Sequence, residues 1–268
     1  MQVEKKQENI TRRNALIALN HYFNFLLKNE EITSNPTALI KIRGTKKRHL
    51  YSLYTSEELT QICDNYYHSF IRNFDSFCYA SIHGGIAENQ REQTLLARQR
   101  NYIVLSFLVH QGLHTAEIQN IILDDIDLQK ATLKIIGRKK SNERILLLNA
   151  SQIGILINYI ENIRPQFFKF CMESDKLFFV LPESSKVKTS KENLMHIFKP
   201  LTGQVKSTDK KFLNFQQVRA SVITNWLKTQ GLRRTQYLAG HRYISTTEKY
   251  LPNNIDALID DIAKYNPF

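Results

Sequence analysis

Residues 107–148 read FLVHQGLHTAEIQNIILDDIDLQKATLKIIGRKKSNERILLL, and two different periodicities meet inside this stretch. Leading into it, Tyr102 to Val109 forms an apolar helical run that ends at Gly112, and a second helix begins near Thr115. From Ala131 the period changes. ATLKII (131–136) and ILLL (145–148) read as β-strands, and the basic GRKKSNER (137–144) joins them as a turn. A local hairpin set among helices predicts a mainly α fold with a small antiparallel β-sheet, an α+β class.

Towards the N-terminus, residues 9–29 read as one amphipathic helix. Leu16, Leu19, Phe23, Leu26 and Leu27 fall on one face, with Asn9 or Thr11 capping its start. EEITSNP (30–36) breaks it, because Pro36 disfavours a helical Asn35. RGTKKRHL (43–50) then carries five basic side chains and no acidic one, as either a solvated linker or a strap laid along phosphates through Lys46, Lys47 and Arg48. Thr55-Ser56-Glu57-Glu58 is a helix start with acidic residues in its first turn. Further on, the pattern predicts a helix over 151–164 stopped before Pro165, and a short buried strand at LFFVL (177–181). Helices fill the remainder, two of them separated by Gly231.

The 268 residues include 42% hydrophobic and 23% charged side chains, enough apolar material to bury a core, so disorder is excluded. Lys plus Arg number 37 against 25 Asp plus Glu, a balance of +12 that favours a polyanionic partner, nucleic acid before an anionic membrane surface. The three cysteines, Cys63, Cys78 and Cys171, are scattered and form no metal-binding spacing, as expected of reduced thiols in a cytoplasmic protein. No apolar run approaches the ~20 residues that span a bilayer.

The C-terminal third carries the chemistry. Gln216-Gln217-Val218-Arg219 is followed by Leu238-Ala239-Gly240-His241 and then by Ser245-Thr246-Thr247-Glu248-Lys249-Tyr250, with Tyr250 nine residues after His241. A tyrosine hydroxyl can hold a phosphodiester covalently, arginine forks and a His donor suit the charge that grows on the phosphate, and a nearby lysine can protonate the leaving oxygen. In residue types and spacing this region resembles the tyrosine recombinase (phage integrase) family, whose box runs roughly H-x-L-R-H, then L-G-H, then Tyr. The segment from Phe107 to Leu148 is similar to that family's T-G-L-R-x-S-E-L stretch and its lysine-bearing hairpin, and the helix at 11–29 to the last helix of its core-binding domain.

The resemblance implies site-specific DNA breakage and rejoining through a 3′-phosphotyrosine, for integration or excision of a mobile element, with no cofactor or metal. It implies Tyr250 as nucleophile, Arg219 as phosphate clamp and His241 as phosphate donor. Several positions depart from the family's pattern. His114 stands where the family has its first Arg, Gln216 and Ala220 replace the two His of the second box, and Arg138, followed by Lys139 and Lys140, falls on the hairpin lysine. A neutral imidazole does not replace a bidentate guanidinium. Arg138 is therefore expected to take the clamp role, with Lys139 or Lys140 as general acid. Gln216 keeps an amide able to donate to a phosphate oxygen.

Lys210, Lys211, Arg233, Arg234 and Arg242 surround these boxes and are expected to face DNA. The expected organisation is a partial core-binding segment over 1–42, a basic linker over 43–54 and a catalytic domain over 55–268. Its C-terminal helix at 253–264 packs either on a neighbouring copy in a DNA-bound tetramer or on its own domain. The expected partner is double-stranded DNA, with no membrane, and the expected location is the cytoplasm, on the nucleoid. The altered residues also allow a different activity, a DNA-binding member that does not cut. A helical scaffold matching by chance is the third, and it would bind without the salt dependence of phosphate contacts.

Overall fold

The computed structural model describes residues 9–43, 52–74, 88–138, 141–181 and 195–251. The chain divides into two compact units, residues 1–50 and 51–268.

In the first unit, helix α1 spans Asn9–Lys28. Asn9 lies inside it rather than capping it, and its Nδ2 donates to the Arg43 carbonyl at 3.1 Å. Leu16, Phe23 and Leu26 are half-buried, whereas Leu19 and Leu27 stand exposed, so the apolar face is narrower than the sequence pattern suggests. The helix closes where Glu30 enters the left-handed region (φ 61°) and the Glu31 N–H reaches back to the Leu26 carbonyl at 3.0 Å. Asn35 then pins the following turn. Its Nδ2 donates to Asn20 Oδ1 and Asn24 Oδ1, both at 2.6 Å, and its Oδ1 accepts from the Thr37 N–H at 2.8 Å.

The second unit begins with helix α2 (Ser56–Tyr67). Thr55 Oγ1 accepts from the Glu58 N–H while the Glu58 carboxylate accepts from the Thr55 N–H, a reciprocal cap that satisfies two otherwise orphaned donors. Helix α3 (Glu88–His110) threads the centre of the core, with Val104, Leu105 and Phe107 fully buried. It ends at the left-handed Gly112 (φ 54°), where a Cβ would press on Val222. A single-turn helix, α4 (Thr115–Ile118), follows.

The sheet has three antiparallel strands in sequence order, β1 (Ile126–Asp127), β2 (Thr132–Ile135) and β3 (Arg144–Leu147). Sequence analysis missed the two-residue β1. In the β2–β3 register, Ile135 faces Arg144 and Thr132 faces Leu147. Leu133, Ile135, Arg144 and Leu146 point inward, while Lys134, Ile145 and Leu147 point outward.

Two expectations are corrected. The helix expected to stop before Pro165 continues. Helix α5 (Ala150–Asn158) passes through a π turn (Tyr159–Ile163) into α6 (Arg164–Phe167). Pro165 sits in the first turn of α6, where a missing N–H leaves no bond unmade. LFFVL at 177–181 is buried through Leu177, Phe178 and Phe179 but is not a strand. Its backbone is satisfied one group at a time. Leu177 N–H donates to the Ile121 carbonyl, Tyr159 Oη to the Leu177 carbonyl, and Arg100 to the Phe179 carbonyl at 2.5 Å. Burial of a segment does not require a ladder when side-chain donors reach its carbonyls.

Helix α7 (Met195–Thr208) leads to helix α8 (Phe215–Ala239), which is broken at Gly231 (φ 73°, ψ 173°), and then to helix α9 (Ile244–Glu248). That break positions the site. A straight helix would carry Ala239 about 30 Å along the axis from Arg219, yet Arg219 Nη2 donates to the Ala239 carbonyl at 2.7 Å.

Candidate active site

Arg219 lies one turn into α8, whose N-terminus is capped by Asn214 Oδ1 accepting from the Gln217 N–H at 3.0 Å. Its guanidinium spans the site, Nη1 donating to the Gly112 carbonyl and Nη2 to that of Ala239. The loop after α3 and the end of α8 are thus held to one cation. Burial lowers the Arg219 pKa, Glu117 at 3.7 Å raises it, Arg144 lowers it, and the hydroxyl of Tyr250 raises it again as both charge and hydrogen-bond partner. Tyr250 is half-buried.

His241 follows the left-handed Gly240 (φ 69°) at the end of α8. It is 9% exposed, and its Nδ1 lies 2.9 Å from Oγ1 of the fully buried Thr247 on α9. That contact engages Nδ1 and leaves Nε2 as the ring nitrogen not held by Thr247. The ring is stacked on Tyr250, centroids 5.8 Å apart and planes 15° from parallel. Burial first, then Arg219 and Arg144, push the His241 pKa down to about 4, so the imidazole is neutral at pH 7.

The hairpin tip is docked on this loop. Arg138 and Ser141 exchange backbone hydrogen bonds at 2.8 and 3.1 Å, Ser141 bridges to His241, and the Asn142 N–H donates to the Gly240 carbonyl at 3.0 Å. Arg138 is exposed. Lys139 and Lys140 lie outside the described residues, as do Lys46, Lys47, Arg48 and the C-terminal segment 253–264.

His114 serves as the N-cap of α4. Its Nδ1 accepts from the Ala116 N–H at 3.1 Å, and its own N–H donates to Glu117 Oε2 at 2.8 Å. Burial and Arg219 lower its pKa, Glu117 pulls the other way, and Arg138 lowers it further. Neutral and engaged in a cap, this imidazole does not present the fork of a guanidinium.

Beneath these residues lies a pair that sequence analysis did not single out. Arg144, 2% exposed, donates to Glu117 Oε1 at 2.8 Å and Oε2 at 3.0 Å, and its Nε donates to the Leu238 carbonyl at 2.8 Å. Burial pushes the Glu117 carboxyl up, and the hydrogen bonds and charge of Arg144 more than reverse it, holding Glu117 below the ordinary carboxylate range. The pair ties α4, the hairpin and the His241 loop to one another. A Cβ on Gly240 would overlap the Arg144 guanidinium, which is why this turn has no side chain. The signal was present in the sequence: Arg144 is in phase with Leu146 and Leu148 on the inward face of β3, and an inward cation needs a buried anion.

The structure therefore brings together Arg219, His241 and Tyr250, with Arg138 joined to this loop through Ser141 and the Arg138 charge lowering the His114 pKa. Gln216 is exposed on the first turn of α8, and Ala220 is buried in its core face. Lys210, Arg233, Arg234 and Arg242 are exposed. Lys211 is held inside the second unit, its Nζ 2.8 Å from both Glu58 carboxylate oxygens and 4.7 Å from the centre of the Tyr54 ring. Among the described residues no cluster of His, Cys, Asp and Glu is suited to hold a metal ion, and no helix is long and apolar enough to cross a membrane.

A family model described as the phage integrase family matches residues 86–256. The tyrosine recombinase XerC of Natranaerobius thermophilus is 24% identical over 265 residues, 98% of this chain and 79% of that protein. The tyrosine recombinase XerD of Staphylococcus saprophyticus is 31% identical over 152 residues, covering 56% of this chain and 49% of that protein. Two solved structures share the fold. One is the XerH site-specific recombinase bound to a palindromic difH substrate, with a TM-score of 0.65 and 18% identity over 97% of this chain and 68% of that one. The other is the Tn1549 transposon integrase with circular intermediate DNA, with a TM-score of 0.61 and 14% identity over 92% and 76%.

Proposed function

The chain belongs to the phage integrase family, the tyrosine recombinases, and from that premise we propose that it breaks and rejoins DNA at a specific site through a covalent 3′-phosphotyrosine. The observation that carries this reading is the convergence of Tyr250, stacked on His241, with the guanidinium of Arg219. Tyr250 Oη bonds to phosphorus and the P–O5′ bond breaks. The phenol gives up its proton, and the departing 5′-oxygen takes one to leave as a hydroxyl. One phosphoester bond replaces another, so the exchange runs without a nucleotide or metal, and a second 5′-hydroxyl attacking phosphorus reverses it. Arg219 and the Nε2–H of neutral His241 donate to the non-bridging oxygens as their charge grows. Lys139 or Lys140, next to Arg138 in the sequence, supplies the proton for the leaving oxygen. Exchange between two duplexes cuts four strands, so four copies, one nucleophile each, act together.

The test is covalent trapping. The protein is incubated with fragmented DNA from its source, denatured in SDS, and the protein-linked DNA is sequenced. Adducts that vanish in Tyr250→Phe support the reading, while salt-sensitive binding with no adduct refutes it. The second outcome is that of a member that binds without cutting. The observation favouring it is His114, a neutral cap at the position of the family's first Arg.

A further inference from the structure

We propose that Arg138 is a catalytic residue of this site, its guanidinium gripping the non-bridging oxygens of the phosphate that Tyr250 attacks. The inference rests on the recombinase reading above and concerns which cations are left to meet the phosphate. Arg144 spends its fork on Glu117 and its Nε on Leu238, deep beneath the loop. Arg219 spends one donor on Gly112 and one on Ala239 and faces Glu117 as well. His241 has its Nδ1 engaged with Thr247, and His114 has its Nδ1 engaged with the Ala116 N–H. Both imidazoles are neutral at pH 7.

A phosphoryl group in transfer gains negative charge on its non-bridging oxygens and calls for more than one committed guanidinium. Arg138 meets that need by position. The hairpin that carries it is fastened to the loop of His241 by the Ser141–His241 bridge and the Asn142–Gly240 hydrogen bond, and its side chain is exposed. Gly137 beside it is pressed so closely on the far side of the hairpin that a Cβ would meet the Glu143 nitrogen at 2.7 Å, which keeps the tip narrow and its direction set. The charges of Arg219 and Arg138 both lower the His114 pKa. His114, with its Nδ1 engaged in the cap of α4, presents no fork, and Arg138 does the work that side chain cannot do.

The test has a binding arm and a cleavage arm, both with the full chain. For binding, a duplex is selected from random-sequence DNA and a methylphosphonate, which lacks the non-bridging charge, is walked through its linkages. At one linkage the substitution should weaken binding of Tyr250→Phe about tenfold or more, and binding of Tyr250→Phe/Arg138→Ala by a much smaller factor, the remainder being the share of Arg219 and His241. Equal losses in both proteins at every linkage overturn the contact. For cleavage, Arg138→Ala should slow adduct formation by about 10²–10³, the loss typical of one oxyanion donor. A methylphosphonate at that linkage should restore the rate, and a 5′-bridging phosphorothiolate, whose sulfur leaves without a proton, should not. Rescue by the phosphorothiolate instead moves Arg138 to the leaving oxygen and overturns the assignment. If the wild-type chain forms no adduct, the proposed function fails, and the binding arm still decides the fate of Arg138.

Discussion

Replacing Arg144 with Met leaves the Glu117 carboxylate, whose side chain is 5% exposed, without the two bonds that satisfy it. What remains is the His114 N–H at 2.8 Å and the Arg219 guanidinium at 3.7 Å, the latter already donating to two carbonyls. Breaking one side of a buried ion pair costs about 3–5 kcal/mol, because the stranded charge stays in a low dielectric. Removing both sides is far cheaper, so Arg144→Met/Glu117→Gln should recover at least half of that loss, with a coupling of about 2 kcal/mol or more. The readout is urea denaturation followed by the fluorescence of Trp226, the chain's single tryptophan, whose ring lies against Gly112 at this site. The pH dependence adds a second check. In the wild type the Glu117 pKa is lowered, so its contribution is present above the unfolded value and lost as pH falls. In Arg144→Met the unpartnered, buried carboxyl shifts upward, so that variant loses stability as pH rises through its new folded value. The two curves should lie furthest apart near pH 7 and converge in acid. A single-variant loss below about 1 kcal/mol, or additivity in the double, refutes the reasoning.

Gly240→Ala should cost about 2–4 kcal/mol in the same assay, from left-handed strain at φ 69° together with displacement of the Arg144 guanidinium. Gly154→Ala, inside α5 with open space around it, should instead gain about 0.5–1 kcal/mol, and equal effects at the two glycines would discredit the contact. The His241 pKa is lowered to about 4, so its unfolded form binds the proton first. That contribution is full above about pH 6.5 and lost as pH falls to 4, on the order of 2 kcal/mol. His241→Gln should flatten the stability profile across that window, and an unchanged slope would remove His241 as the cause.

What the sequence made legible was local. The apolar run to Val109, the reciprocal cap at Thr55 and Glu58, the alternation on either side of GRKKSNER and the break at Gly231 are each written within a few neighbouring residues, and the structure has all four. The expectations that failed depended on distant partners. LFFVL has the composition of a buried strand, but its carbonyls are satisfied by Tyr159 and Arg100, which no period within 177–181 reveals. Pro165 signals a stop only where its N–H is needed, and the π turn before it removes that need. Likewise, spacing placed Arg219, His241 and Tyr250 in order along the chain. Only the Gly231 break, invisible as geometry in the sequence, folds Ala239 back onto Arg219.

The charge balance of the site explains why a buried acid belongs in a place meant for an anion. Arg144 and Arg219 bring two positive charges within reach of each other, and burial together with the Arg144 charge lowers the Arg219 pKa. Glu117 cancels one of them, pairing tightly with Arg144 and loosely with Arg219. One net positive charge is left, carried by the guanidinium nearer the surface. That suits the single charge of a resting phosphodiester. It does not suit the transferring group, whose charge approaches two as the fifth bond forms. A second cation kept permanently inside would repel the first and destabilise the empty site, whereas one on an exposed hairpin stays hydrated until the phosphate arrives. Arg138, exposed on the hairpin, has that placement. On this account Arg138→Ala should spare folding and cost catalysis, whereas Arg144→Met should cost both.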